Sequence, residues 1–88
     1  MKIKEIIYTP TFRKVFNRLP KEIQDQAVKK ESLFKADAFD PKLKSHKLKG
    51  KFTNYYSFSI SYSHRIVFRF LSKDKVLFVD CGDHSVYK

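Results

Sequence analysis

The sequence predicts an α+β fold of order β-α-α-β-β-β, a helical hairpin packed on one face of a mainly antiparallel four-stranded sheet. Three observations predict it. Apolar residues recur at helical spacing in the first half of the chain. They alternate with period two after Tyr55. Prolines and polar turn residues separate the two regimes.

Residues 2–8 (KIKEIIY) carry β-branched side chains and stop at Thr9-Pro10, which reads as a first strand. Thr9 suits an N-cap and Pro10 the first helical position. Phe12, Val15, Phe16 and Leu19 then fall at i, i+3, i+4 and i+7, one apolar face of a short helix. Pro20 ends that helix and opens a second, in which Ile23, Ala27 and Phe34 recur to about Lys35. Lys30 falls on the same stripe, so this helix is less cleanly amphipathic. Residues 37–50 read as a loop. Tyr56, Phe58, Ile60 and Tyr62 alternate with Ser57, Ser59 and Ser61 as a half-buried strand. After a turn at Ser63-His64, Ile66, Phe68 and Phe70 alternate with Arg65, Val67 and Arg69. Ser72-Lys73-Asp74 is the next turn. Residues 75–81 (KVLFVDC) form a nearly continuous apolar strand, expected to be central and stopped by Gly82. A meander of this kind sets Asp83 and His84 at the sheet edge, near Arg65 at the start of the neighbouring strand.

At 88 residues the chain is expected to be one domain spanning residues 1–88. Nine Phe and five Tyr exclude a disordered tail, and two Gly with three Pro exclude collagen-like material. The single Cys81 closes no disulfide within the chain and is expected to be a buried, inert thiol. No apolar run approaches membrane-spanning length, and the expected location is the cytoplasm.

The formal net charge is +10, far more than solubility needs, and implies a polyanionic partner. No acidic residue lies between Asp40 and Asp74. That stretch holds Lys42, Lys44, Lys47, Lys49, Lys51, Arg65, Arg69 and Lys73. Five of these lysines, with His46, crowd into KLKSHKLKGK (42–51). A solvated loop is the plain reading, but uncompensated repulsion favours contact with phosphates. Membrane binding is the weaker version, since these lysines lie on no basic amphipathic helix.

The three histidines and one cysteine match no zinc-ligand spacing, and neither a phosphate loop nor a nucleophile elbow is present. No metal and no cofactor is expected. His, Arg, Lys and Tyr near strand ends suit metal-free RNA cleavage. A base takes the 2′-hydroxyl proton, an acid protonates the leaving 5′-oxygen, and cations stabilise the phosphorane-like transition state. The candidates are His84, His46, Arg65 and Tyr87, with Lys42, Lys44, Lys47, Lys49, Lys51 and Arg69 as RNA contacts. Each has a plainer alternative. His46 reads equally as a solvated loop residue, and His64 as a turn residue. Arg65 pairs as readily with Asp80 or Asp83, and Tyr87 fits a core plug as well as a stacking platform.

The chain resembles the RelE/ParE superfamily of bacterial type II toxins over nearly its whole length. The likeness rests on YTPTFRKVFNRLP (8–20), HKLKG (46–50), SYSHRIVFRF (61–70) and VDCGDHSVYK (79–88), in that order. It implies either ribosome-associated mRNA cleavage, as in the RelE, YoeB, HigB and YafQ branches, or gyrase inhibition, as in the ParE branch. His46 and His84 sit where YafQ-like members carry functional histidines. Arg65 falls where RelE carries a phosphate-contacting arginine, and Tyr87 matches the terminal catalytic or stacking aromatic. Ser63 stands where YafQ-like members have a catalytic Asp. The full set favours the nuclease branch, with mRNA, the ribosome and an acidic antitoxin as partners in a heteromeric complex. A gyrase inhibitor and a non-catalytic basic RNA-binding module are the alternatives.

Overall fold

The computed structural model describes residues 1–50 and 54–83. Strand β1 (Glu5–Tyr8) leads into α1 (Pro10–Arg18) and α2 (Lys21–Ala36). A 3₁₀ turn (Pro41–Leu43) and the short strand β2 (His46–Lys47) follow. The chain then forms β3 (Tyr56–Ser59), β4 (Arg65–Ser72) and β5 (Lys75–Gly82). The strands make one mixed sheet in the order β1-β5-β4-β3-β2. β1 runs parallel to β5, with Glu5 opposite Lys75 and Tyr8 opposite Phe78. The other three pairings are antiparallel. Two helices on this sheet give the expected α+β architecture.

Thr9 fixes the entry to α1. Its Oγ1 accepts from Phe12 N at 3.0 Å and donates to Val79 O at 2.7 Å, tying the helix start to β5. Pro10 occupies the first turn, where its missing N–H costs nothing. Leu19 turns extended (ψ 150) because it precedes Pro20, and α1 ends there. Thr9→Ala is expected to cost about 1–2 kcal/mol through loss of the cap and the strand tie. Urea unfolding checks this: the midpoint should fall with the m-value unchanged.

The apolar faces of α1 and α2 meet β3, β4 and β5 in an aromatic core. Phe34 is fully buried. Its ring stacks on Phe58 at 4.8 Å and meets Phe68 and Phe78 edge-on at 4.9 and 5.5 Å. These offset and edge-to-face geometries add to the burial of ring area.

Four details differ from the sequence reading. First, the sheet has five strands rather than four. His46 and Lys47, placed in a loop, pair with Ser57 and Tyr56 as an edge strand. Leu48 N extends the contact by donating to Tyr55 O at 2.8 Å. Second, residues 2–4 do not join β1, because Ile3 N turns to Lys35 O at the end of α2. Third, the alternation through Tyr62 outruns the ladder. Ile60 N donates to His64 O at 2.9 Å, so residues 60–64 close as the β3–β4 connection. Tyr62 there is 98% exposed instead of half-buried. Fourth, β5 lies between β1 and β4, so the chain after Gly82 leaves an interior strand end and not a sheet edge.

The register of β4 and β5 slips between Val67 and Phe68: Val67 faces Asp80, while Phe68 faces Phe78. One extra residue on β5 lets Cys81 point inward where strict alternation from Phe78 would have brought in Asp80. Asp80 carboxylate accepts from Cys81 N at 2.8 Å within this bulge. Cys81 is buried, and burial pushes its thiol up to about 12, with the nearby Asp80 charge adding to the rise. It stays protonated and unreactive at neutral pH, as expected. Among the described residues, no helix is long and apolar enough to cross a membrane.

Candidate functional site

Strand parity separates the two sheet faces. Ile66, Phe68 and Phe70 of β4 face the helices, and so Arg65, Val67 and Arg69 lie on the opposite face. Cross-strand partners share a face. One row on the face away from α1 and α2 therefore runs His46, Ser57, Val67, Asp80, and the next runs Ser59, Arg65, Gly82. His46 and Arg65 are two strands and two residues apart, about 12 Å between backbones.

Arg65 is the best-positioned cation of the set. Its Nη1 donates to Ser59 Oγ at 2.9 Å, directly across the ladder, and the residue is half-buried. This bond takes one of five guanidinium N–H groups and fixes the fork's orientation. Beside it opens a cleft of about 480 Å³ lined by Lys30, Lys42, Lys44, Ser59, Ser61, Tyr62 and Arg65. Four cations thus converge on two serine hydroxyls and a tyrosine ring. Among the described residues, no ion pair joins a carboxylate to Lys30, Lys42, Lys44 or Arg65.

The lysine-rich stretch is shaped, not a plain loop. Asp40 caps the 3₁₀ turn by accepting from Lys42 N at 2.9 Å. Lys44 then takes a left-handed conformation (φ 55), uncommon for a residue with a Cβ. Lys30 Nζ donates to Lys42 O at 3.3 Å, fastening the turn to α2. Lys30 was missed as a site residue by the sequence reading. Its one signal was a cation on the apolar stripe of α2.

His46 is exposed on β2, and its Nδ1 lies 3.1 Å from Lys44 O. A carbonyl only accepts, so Nδ1 donates, and in the neutral ring the lone pair is on Nε2. His64 is half-buried, with Nδ1 2.8 Å from Ser63 Oγ.

The remaining candidates divide. Lys42, Lys44 and Arg65 come together at the cleft. Lys47 and Lys49 are exposed and do not line it. Arg69 is four residues along β4, and its guanidinium sits 6.0 Å from the Tyr55 ring centre. It borders a separate hollow with Asn54, Tyr56 and Phe70. Lys51, His84 and Tyr87 lie outside the described residues. The pairing of Arg65 with Gly82 nevertheless ends β5 beside Arg65, two residues before His84.

No family model matches the chain, and no curated protein sequence matches it. Solved structures do. A YoeB/ParE toxin from Agrobacterium tumefaciens superposes with a TM-score of 0.77 at 21% identity, over 92% of this chain and 99% of its own. YoeB in a YoeB–YefM complex from Staphylococcus aureus gives 0.72 at 23% identity, over 96% of this chain and 99% of its own. YafQ from E. coli gives 0.68 at 14% identity, over 93% and 94%. The chain has the YoeB/YafQ toxin fold. On that toxin fold, the cationic cleft lies where β4 begins and β5 ends, and residues of α2, the 3₁₀ turn and the β3–β4 connection wall it.

Proposed function

We propose that this chain is the toxin of a toxin–antitoxin pair, and that it cleaves translated mRNA on the ribosome as a metal-independent endoribonuclease. The observation that carries the reading is the cleft at Arg65, where three lysines join the arginine on a toxin fold. Arg65, held by Ser59, presents its remaining N–H donors to a phosphate, while Lys30, Lys42 and Lys44 hold the flanking backbone.

His46, with Nε2 basic, takes the 2′-hydroxyl proton. O2′ bonds to the adjacent phosphorus, and Arg65 stabilises the charge that gathers on its oxygens. The P–O5′ bond breaks, and His84 gives its proton to the 5′-oxygen. Tyr87 orients or stacks on the nucleotide. In-line displacement needs base and acid on opposite sides of phosphorus, and β4, carrying Arg65, lies between β2 and the end of β5. The products are a 2′,3′-cyclic phosphate and a free 5′-hydroxyl.

The partner is an acidic antitoxin. The YoeB–YefM complex is a toxin–antitoxin assembly on this fold, and this chain's +10 charge suits an acidic segment that folds on binding. Primer-extension mapping with and without ribosomes, with chelator added only to the ribosome-free arm, tests the nuclease. Cuts with cyclic phosphate ends are expected. A supercoiling block without RNA cuts would replace this reading with gyrase inhibition.

The triple change Lys30→Ala, Lys42→Ala, Lys44→Ala is expected to weaken RNA binding and flatten its salt dependence. The slope of log K against log salt should fall by roughly 0.7 per lost phosphate contact on a single strand. Anisotropy titrations across a salt series measure it. An unchanged slope would reduce the cleft lysines to a solvated rim.

A further inference from the structure

We infer that Tyr62 is a base-stacking platform, and that the cleft beside it takes single-stranded RNA with phosphates on its cations and one base on the Tyr62 ring. This rests on the ribonuclease reading above and names how the substrate strand is seated.

The ring is 98% exposed, yet it lines the cleft with Arg65 and the three lysines. A tyrosine left so fully in water forgoes the area burial that aromatic residues ordinarily contribute. The backbone beneath it is ordered. Ile60, fully buried, anchors one side of the turn. Ile60 N and Ser61 N both donate to His64 O, at 2.9 and 3.3 Å. Ser63 N donates to Ser61 Oγ at 3.3 Å, closing the tip around Tyr62. The ring is therefore presented on a pinned turn, so stacking costs little further backbone ordering.

The cleft supplies the rest of a nucleotide site. Lys30, Lys42, Lys44 and Arg65 bring positive charge for phosphates. Ser59 Oγ accepts from Arg65 and keeps its own hydrogen to donate to a phosphate or a ribose hydroxyl. An aromatic face beside a cationic track is the arrangement by which proteins hold single strands without reading sequence. The platform lies on the β3–β4 connection and gives the strand a point of purchase at the mouth of the cleft.

The test is fluorescence anisotropy with labelled hexamers of A and U, an abasic backbone of equal length, and hexaglutamate. Wild type should favour A₆ over U₆ and over the abasic chain. Tyr62→Ala should lose roughly 5- to 150-fold on A₆ and leave the abasic chain unchanged. Tyr62→Phe should keep most of the A₆ affinity. Circular dichroism should show Tyr62→Ala folded, because the side chain touches almost nothing. An unchanged A₆ affinity, or an equal loss on the abasic chain, overturns the stacking role. Equal Tyr62 dependence for hexaglutamate overturns it in favour of an acidic protein partner. The nuclease reading fails separately, if wild type binds A₆ through Tyr62 but cuts no mRNA.

Discussion

Arg65→Ala is expected to lower the RNA cleavage rate by roughly 10²–10³-fold, the loss usual when one fixed donor to a developing oxyanion is removed. The geometry explains why this arginine should matter more than the three lysines that share its cleft. Ser59 and Gly82 flank it on the two neighbouring strands, and the Ser59 hydroxyl holds its fork. Orientation is thus set before substrate arrives. Arg65→Lys keeps the charge but loses the planar fork, and should recover only part of the rate. Ser59→Ala should leave the charge in place and loosen its aim, giving a smaller loss. Single-turnover rates at saturating RNA separate the chemical step from binding. Melting curves should hardly move, because Arg65 is only half-buried and Ser59 is left reachable by water. Wild-type rates from folded Arg65→Ala protein would remove the cleft from the mechanism.

His84→Ala is expected to reduce cleavage by roughly 10²–10⁴-fold, the range for a general acid or base. The reason is the exit from β5. Gly82 pairs with Arg65, and its backbone (φ 154) is one that side-chain-bearing residues rarely adopt. The chain therefore leaves the ladder within two residues of His84. Binding of uncut substrate analogue should be nearly unchanged, since the proposed phosphate contacts lie on Arg65 and the lysines. That split between rate and affinity distinguishes a proton-transfer group from an electrostatic anchor. Full activity in folded His84→Ala protein would assign the proton to another group.

These two residues show what the sequence could and could not disclose. The start of α1 was legible in Thr9-Pro10 and its end in Pro20, since each signal acts within a few residues. Strand β4 was legible from the period of two in Ile66, Phe68 and Phe70, and β5 from a nearly continuous apolar run that marks a central strand. β2 was not. His46 and Lys47 carry no strand pattern, and β3 recruits them as an edge. Nor was the end of β3, because Ile60 and Tyr62 continue the alternation after the backbone has left the ladder. The bulge in β5 was hidden by an apolar run that reads alike in either register. At the site, the acid-free span announced the charge and Arg65 announced the fork. Lys30 stayed hidden, because only the tertiary fold brings α2 beside the 3₁₀ turn.

The parallel pairing of β1 with β5 has a kinetic meaning. Glu5 meets Lys75, so the first strand waits for nearly the whole chain before it has a neighbour. Closing so long a loop is entropically costly and slows folding relative to a chain of local contacts. During synthesis the lysines of the cleft are all made before β5 exists, while Arg65 still lacks Gly82 beside it. A half-made chain thus carries the charge of the cleft, and Ser59 beside Arg65, before the strand that closes the other side of Arg65 is made. The order in which this sequence is translated leaves the sheet open on the β5 side of Arg65 until the last strand is made.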